Sequence, residues 1–379
     1  MAMDQVRLIE LLEISAGTDP GGTENAVVEL LRRSSFYAKH KQPLVRIGAA
    51  ASDARPEALA RTLIACAGEN GSAYAAGALE ALFGVDEVTT ATYAYVENVY
   101  APQAIDLGSD VMALPDTDAP DIHFAEAIGA IRGGLSRRRG AILVARQTAS
   151  PFVPAPSKDE GPMAFSGMDL KVPGEDRIQA ALQMITLCGP SPPAIRAMTT
   201  IAETDALRLF GVGAGISFHY PGYWVPGLPV PIATEVREMI PLYSALTASD
   251  RRRVDTAISR LRLATARLEP SDAIVDLAIA LEAILSDKGN KDELTYRLRL
   301  RLALILESEV AERKRIKALV TSLYKERSGI VHGDVPGTAD VELRRNGEGL
   351  VTRLIRKMLH LGFVPDWSLV ELSGGQQMR

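Results

Sequence analysis

The sequence predicts an α+β N-terminal region followed by an all-α helical bundle. Strand-like segments rich in β-branched residues mix with helical segments over the first 225 residues. From residue 218 to residue 231 the chain contains four prolines, which are hostile to a helix interior. After Pro231 the hydrophobic spacing has the period of a helix in segment after segment. We therefore expect an N-terminal domain at 1–225 and a helical bundle at 232–365.

A chain of 379 residues is long enough for two or three domains. A further break inside the N-terminal part is indicated at 151–174, where Pro, Gly and Ser accumulate into a long loop or connection. Residues 366–379 are interpreted as a C-terminal tail.

The composition is that of an ordinary globular protein, with 47% hydrophobic and 23% charged residues. The net charge of -5 is unevenly distributed, because residues 251–361 carry 22 Lys and Arg against 16 Asp and Glu, and the rest carries 20 against 31. A basic C-terminal part on an acidic body favours a polyanionic partner, although Arg-rich helices are often simply solvated.

The cysteines, the N-terminus and the histidines indicate where the protein resides and whether it binds a metal. Cys66 and Cys188 lie in apolar contexts, which predicts buried free thiols in a reducing compartment. The N-terminus lacks the charged and apolar regions of a signal peptide, and no apolar run approaches the ~18 residues of a membrane span. We expect a cytoplasmic protein with no membrane partner. His40, His123 and His219 are not at metal-ligand spacing, so no metal or other cofactor is predicted.

The N-terminal elements follow from local signals. Residues 5–14 fit both the helical and the strand period, with a slight preference for a helix, and another helix begins at Thr23. A strand at 44–48 precedes a helix that has Pro56 early in its sequence, and an Ala-rich helix spans 72–83.

Strand chemistry dominates at 88–96, where β-branched and aromatic residues predominate, and 104–111 is expected to pair with it. A helix at 123–131, a strand at 141–145 and a helix at 176–187 complete the region.

Start and stop signals divide the C-terminal part into helices. We predict helices at 235–246, from 249 onward, at 270–285, at 293–307, over a stripe from 316 to 331 and at 349–361, with a loop at 333–347. The segment 297–302 alternates Arg and Leu and would be ambiguous by itself.

The stretch Lys325–Gly333 is the most informative part of the sequence. Helical projection places Arg327 near the middle of an apolar stripe that includes Val320, Leu323 and Tyr324, where a leucine would be the ordinary choice. A guanidinium cannot lose its charge, so a core-facing one needs a carboxylate, a partner subunit or a bound anion. Glu282 is the candidate carboxylate.

Three blocks of the bundle, taken in order, resemble a known family. The blocks Ala280–Leu285, Tyr296–Arg301 and Leu323–Gly333, the last with an Arg followed five positions later by a His, resemble an Apea-like HEPN domain. The resemblance covers residues 235–365 and says nothing about the first 225.

This resemblance implies a helical bundle that dimerises face to face, so that two Arg-x-x-x-x-His elements meet in one cleft. Active members of the wider family are metal-independent endoribonucleases, and many are toxins or antiviral defence effectors. If the catalytic Arg and His of the family are transferred to this sequence, the resemblance implies that Arg327 and His332 are the catalytic pair. Ser328 occupies the position where the family often has a polar residue, although Ser is a weaker donor and acceptor than Asn or Asp.

The chemistry of RNA cleavage agrees with a dimer. The reaction needs a group to take the 2′-hydroxyl proton, a group to protonate the leaving 5′-oxygen and a cation for the phosphorane. Two protomers supply two imidazoles and two guanidinium groups, whereas one protomer supplies a single imidazole.

Two residues five positions apart on a straight helix are separated by roughly 140° around its axis, so Arg327 and His332 would not share a face. We expect the helix to loosen at Gly329 and to end at Gly333, with His332 in its last turn.

Plainer interpretations stay open for these side chains. Arg327 paired with Glu282 is a structural alternative, and Glu282 either orients Arg327 or is a solvated helix-edge carboxylate. Tyr324 either hydrogen-bonds in the cleft or packs in the core, and His332 alone would suit a helix C-terminus. Functionally, the alternative to a ribonuclease is a non-catalytic HEPN module for RNA or nucleotide binding or for dimerisation.

The remaining candidates are weaker. Gly211–Gly215 is interpreted as a turn or small-residue packing, because no clear strand precedes it and no helix follows. Arg137–Arg139 is most simply a solvated loop, and His360 is structural or at the surface. The N-terminal part carries no catalytic motif and is expected to sense, restrain or target, through an unidentified regulatory partner.

Overall fold

A computed structural model describes residues 4–15, 20–41, 43–47, 50–133, 139–154, 172, 174–189, 192–204, 207, 209, 215–220, 229–286, 294–332 and 341–375. Several predictions fall outside these residues: most of the loop at 151–174, the glycines at 211–214, the arginines at 137–138 and the helix stop at 288–290. Within the described residues, the N-terminal half combines strands with helices and the C-terminal half is mostly helical, as predicted.

The N-terminal half contains helices mostly at the predicted positions, although the helix predicted to begin at Thr23 begins at Pro20 and the short helix Ser35–Lys39 was not predicted. They are α1 (Gln5–Ser15), α2 (Pro20–Arg32), α3 (Ser35–Lys39), α4 (Pro56–Asn70), α5 (Ser72–Phe83), α6 (Ile122–Arg132) and α7 (Glu175–Thr186). Pro56 occupies the first turn of α4, where its missing N–H leaves no hydrogen bond unmade. Asp121 caps α6 by accepting a hydrogen bond of 2.7 Å from the backbone N–H of Phe124.

The strands form three sheets. They are β1 (Pro43–Ile47), β2 (Ala50–Asp53), β3 (Val88–Glu97), β4 (Val99–Tyr100), β5 (Ile105–Gly108), β6 (Val111–Pro115), β7 (Gly140–Ala149), β8 (Phe152–Pro154), β9 (Ala194–Ala202), β10 (Ser217–Phe218) and β11 (Val230–Pro231). The largest sheet has the order β10-β9-β3-β7-β6-β5, and the smaller ones have the orders β2-β1-β8 and β11-β4.

The predicted pairing of 104–111 with 88–96 is wrong. Instead β5 pairs antiparallel with β6, in a register that joins Ile105 to Ala113. A tight turn explains this local pairing, because Gly108, Ser109 and Asp110 all have positive φ. Asp106 supports the turn by accepting a hydrogen bond of 2.8 Å from the N–H of Gly108.

The sequence of 194–202 predicts no strand, yet β9 lies inside the largest sheet beside β3. Its burial does not alternate, and residues 197–200 are all buried. A strand buried on both faces lacks the period-2 pattern that identifies strands in a sequence.

The chain forms two compact units that are discontinuous in sequence. The first comprises 1–94, 144–176 and 197–218, and the second comprises 95–143, 177–196 and 219–379. This division differs from the expected boundary between 225 and 232. The chain passes from one unit to the other within strands β3, β7 and β9. Local composition does not indicate these crossings, because strands that pair can be far apart in the sequence.

The core of the first unit is built by leucines and valines at helical spacing. Leu8 and Leu12 on α1, Leu31 on α2, Leu63 on α4 and Leu79 on α5 all belong to one buried cluster. An amphipathic set of helices is stabilised mainly by burying such apolar faces together.

The C-terminal half of the second unit consists of helices with short connections. They are α8 (Val236–Ala245), α9 (Ala248–Ala266), α10 (Pro270–Leu285), α11 (Leu294–Leu306), α12 (Val310–His332), α13 (Val341–Leu361) and α14 (Trp367–Ser373). The Arg–Leu alternation at 297–302 is helical, as predicted. None of the described helices combines the length and the apolar content needed to cross a lipid bilayer.

Two predictions near the C-terminus need correction. The last long helix begins at Val341, eight residues before the predicted start, because its first turns are stabilised by a largely buried ion pair of Arg344 and Glu348, each 18% exposed, and not by an apolar stripe. The expected tail contains α14, whose Trp367 is 1% exposed and donates a hydrogen bond of 2.9 Å to the Ile284 carbonyl. A single aromatic anchor of this kind gives no periodic signal in the sequence.

Candidate functional site

Two packed helices carry the predicted site residues. On α10, Leu277, Leu281 and Ile284 are fully buried, which leaves Glu282 at the edge of the buried face. On α12, Leu323 and Tyr324 face the core, and Arg327 follows one turn later on the same side. The apolar period of each helix therefore places Arg327 and Glu282 near each other.

Arg327 is half-buried, as its position in the apolar stripe predicts, with 37% of its side chain exposed. Its Nη2 atom lies 3.9 Å from Oε1 of Glu282, which is an ion pair too long to be a hydrogen bond. Its Nε atom is buried and has no hydrogen-bond partner among the described residues. The Nη groups of the guanidinium therefore keep donor capacity for another acceptor, whereas the Nε–H is covered by the protein.

Tyr324 connects Glu282 to the core. Its hydroxyl lies 3.2 Å from Oε1 of Glu282 and 3.4 Å from the Ala278 carbonyl, and its ring is buried. Burial raises the pKa of Tyr324 well above its ordinary value, and the neighbouring Glu282 carboxylate reinforces the shift while Arg327 opposes it. Tyr324 thus both packs in the core and hydrogen-bonds at the edge of the site, as a neutral donor.

His332 is the last residue of α12, which confirms that it lies in the last turn. The predicted loosening at Gly329 is wrong, because 310–332 form one continuous helix. A single glycine weakens a helix by only about 1 kcal/mol, which the long flanking segments can offset. Gly333 lies outside the described residues.

The continuous helix separates the two predicted catalytic side chains. Arg327 and His332 are roughly 140° apart around the axis, and in the described part of the chain no hydrogen bond or ion pair joins them. Ser328 and His332 are exposed, whereas Arg327 is half-buried. One protomer therefore presents the guanidinium with Glu282 and the imidazole in two different directions.

The C-terminal end of α10, next to Glu282, is held by residues that the sequence did not identify. Arg253 donates hydrogen bonds to the carbonyls of Ala283, Ile284 and Ser286, with Nε 3.0 Å from the Ala283 carbonyl. Arg301, only 2% exposed, donates a hydrogen bond of 2.6 Å to the Leu285 carbonyl. Cationic donors suit the negative end of a helix dipole and satisfy its free carbonyls. These contacts fix the turn that carries Glu282.

A second buried charge on α10 has a structural role. The side chain of Asp276 is 3% exposed and receives Nη1 of Arg260 at 2.9 Å and Nε of Arg267 at 3.0 Å. A buried carboxylate with two guanidinium partners is electrostatically satisfied. The only feature of the sequence that indicates this buried carboxylate is an Asp on the face of α10 whose other residues are apolar.

The other candidates do not form a site together. Among the described residues no three His, Cys, Asp or Glu side chains converge as metal ligands would. Cys66 lies on α4 and Cys188 follows α7, and both are free and partly buried. Burial raises the pKa of the Cys188 thiol.

Deprotonation of the buried Tyr324 hydroxyl is expected to lower the stability of the folded protein. A raised pKa in the folded state means that stability is complete below the ordinary value of 10 and falls as pH rises above it. We expect Tyr324→Phe to reduce the decline of unfolding free energy above pH 10 by up to about 1.4 kcal/mol per pH unit, one proton's worth. Urea titrations between pH 9 and 11 measure this slope.

The control for this slope is Tyr220→Phe, because Tyr220 is 80% exposed. An unchanged slope in Tyr324→Phe, or an equal change in Tyr220→Phe, would contradict the assignment of the titration to Tyr324.

Comparison with models of protein families, with curated protein sequences and with solved structures finds no match for this chain.

Proposed function

We propose that this protein is a metal-independent endoribonuclease of HEPN type whose active site is completed by two protomers. The observation that carries the proposal is Arg327, a half-buried guanidinium with a buried Nε that lacks a partner among the described residues. It sits on the helix that ends at His332, within the blocks that resemble an Apea-like HEPN domain. An anion is the natural occupant of such a position.

The proposed reaction assigns one role to each side chain. The imidazole of His332 removes the proton from a ribose 2′-hydroxyl, and the 2′-oxygen attacks the adjacent phosphorus. Arg327 binds the non-bridging phosphate oxygens and stabilises the negative charge of the phosphorane. The bond from phosphorus to the 5′-oxygen then breaks, and a second imidazole donates the proton that the leaving oxygen needs. The products are a 2′,3′-cyclic phosphate and a 5′-hydroxyl.

The geometry of α12 supports a site made by two protomers. Because Arg327 and His332 point about 140° apart on a continuous helix, one protomer does not aim both at one phosphate. A second copy related by a two-fold axis can bring its imidazole to the guanidinium of the first. Glu282 and Tyr324 then act as positioning residues behind Arg327, and Ser328 is available as an exposed hydroxyl beside it.

A cleavage assay tests this proposal directly. Purified protein is incubated with single-stranded RNA in excess EDTA, and we expect cleavage that leaves a 2′,3′-cyclic phosphate. His332→Ala should abolish it, whereas His360→Ala, an exposed histidine in the last turn of α13, should not. Cleavage that requires a divalent ion, or that survives His332→Ala, would overturn the proposal.

A non-catalytic HEPN module is the second candidate, favoured by the same separation of Arg327 from His332. It predicts RNA binding in a gel-shift assay without cleavage, and binding that is weakened by Arg327→Ala but not by His332→Ala. A dimerisation role without RNA predicts neither binding nor cleavage, with a dimer in analytical ultracentrifugation.

The biological setting follows from the proposed activity. A toxin or antiviral defence effector would arrest growth when expressed in cells, and Arg327→Ala would relieve the arrest. The first unit would then sense, restrain or target the ribonuclease through a regulatory partner. Growth arrest that persists in the Arg327→Ala variant would count against an effector role of this site.

A further inference from the structure

A cavity of about 410 Å³ lies in the second unit, away from Arg327 and His332. The turn that follows α7 forms one wall, the last turns of α9 form another and the first half of α13 forms the floor. Cavities of roughly 300–1,000 Å³ between the helices of a bundle are large enough for a small molecule.

Much of the wall is apolar, although its sequence contains three threonines. Thr186, Thr265 and Thr352 each donate their hydroxyl proton to a carbonyl of their own helix, at 2.9, 2.9 and 2.8 Å. The Leu187 carbonyl already accepts hydrogen bonds from Arg356, the shorter at 2.9 Å. The lining therefore offers few donors, and Leu187 and Leu261 lie beneath its surface, with only 2% and 1% of their area exposed.

The charges at the cavity leave one cation available. Glu348 is held by Nε of Arg344 at 2.8 Å, and Arg353 is paired with Glu307. Arg345 is exposed and has no hydrogen-bond or ion-pair partner in the described part of the chain. A guanidinium beside an apolar wall suits a single anionic group on an apolar molecule.

Two glycines of α13 have different explanations. A Cβ at Gly347 would lie 3.0 Å from Cδ1 of Leu277 and 3.2 Å from Cδ2 of Leu323, so helix packing accounts for this glycine. A Cβ at Gly349 would meet nothing within 4 Å. Glycine inside a helix is disfavoured by about 1 kcal/mol relative to alanine. Packing therefore does not require Gly349, and a larger side chain at this position would extend into the cavity.

We propose that this cavity binds a small aromatic molecule that carries one anionic group, with the anion on Arg345 and the ring over Gly349. The inference is independent of the proposed ribonuclease activity, because no residue of the cavity belongs to that site. A nucleoside monophosphate and an aromatic carboxylate share this chemistry.

A fluorescent probe with the same chemistry tests the proposal. The full-length chain is titrated with 8-anilinonaphthalene-1-sulfonate, an aromatic sulfonate, and we expect saturable binding of one molecule per chain. Gly349→Leu fills the cavity and Arg345→Gln removes its cation, and each should weaken binding by about tenfold or more. Gly129→Leu is the matched control, because a Cβ at Gly129 on α6 also meets nothing within 4 Å.

Displacement of the dye by competing ligands distinguishes a nucleoside monophosphate from an aromatic carboxylate as the natural ligand. Competition by adenosine monophosphate identifies a nucleotide site, and competition by 1-naphthoate alone identifies an aromatic carboxylate site. Equal dye affinity in wild type, Arg345→Gln and Gly349→Leu would overturn the proposal, as would failure of both competitors. Thermal melting checks that Gly349→Leu is folded, and Arg345→Gln, at an exposed position, provides the test if it is not.

Discussion

Replacing Arg327 with alanine is expected to abolish RNA cleavage, with a loss of at least about 10²-fold in rate. The guanidinium would supply the positive charge that stabilises the phosphorane, and no other cation is paired with Glu282 among the described residues. Single-turnover cleavage of a labelled RNA measures the loss. Arg327→Lys should recover only part of the rate, because an ammonium cannot bind two phosphate oxygens in a planar fork.

The fold should survive the loss of Arg327. Its only described ion pair is 3.9 Å long and partly exposed, so its contribution to stability is about 1 kcal/mol or less. Arg315→Ala is the matched control, because Arg315 lies on the same helix and is 76% exposed. An enzyme that cleaves at the wild-type rate without Arg327 would contradict the assignment.

The Glu282→Gln variant tests whether Glu282 positions the Arg327 guanidinium for catalysis or only stabilises the fold. It keeps the shape of the side chain and an acceptor for the Tyr324 hydroxyl, but it removes the charge that faces Arg327. If Glu282 positions the guanidinium, the rate should fall while thermal stability hardly changes. A change in stability with an unaltered rate would make Glu282 purely structural.

Replacing Arg301 with alanine is expected to destabilise the second unit by about 3–5 kcal/mol. Arg301 is almost fully buried, pairs with Glu371 at 2.6 Å and caps the Leu285 carbonyl at 2.6 Å. Its removal would leave a carbonyl and a carboxylate without their donor and would free α14 from α11. Urea unfolding followed by circular dichroism measures the change in free energy.

The effect of Arg301 should be specific to its buried network. Arg301→Met fills the space without the charge, and we expect a smaller loss than for alanine, because a buried ion pair can be replaced by apolar packing at little net cost. Arg315→Ala should change the free energy of unfolding by less than about 0.5 kcal/mol. A loss in Arg301→Ala no larger than this would show that α10 does not depend on the contact.

The parts of the molecule that sequence predicted well are those set by local periodicity. The stripes of α10 and α12 and Pro56 at the start of α4 follow from contacts within a few residues. The long strand β9 was missed because burial on both faces removes its alternation. Similarly, the pairing of β5 with β6 depends on the positive-φ turn at Gly108–Asp110, which the Asp106 carboxylate supports and which strand propensity alone does not predict.

In the candidate site, too, some features follow from the sequence and others are visible only in the tertiary structure. The sequence by itself determined that Arg327 lies on the core-facing side of its helix and that His332 lies in the last turn, because both follow from a 3.6-residue period and a glycine beyond that turn, whereas the pairing of Arg327 with Glu282 was one of two alternatives until the structure placed them 3.9 Å apart. Only the tertiary structure decided that the helix continues through Gly329 and that Arg253, Arg301 and Trp367 hold the end of α10. Helix continuity depends on packing along its whole length, and contacts between residues tens of positions apart leave no periodic trace in a sequence.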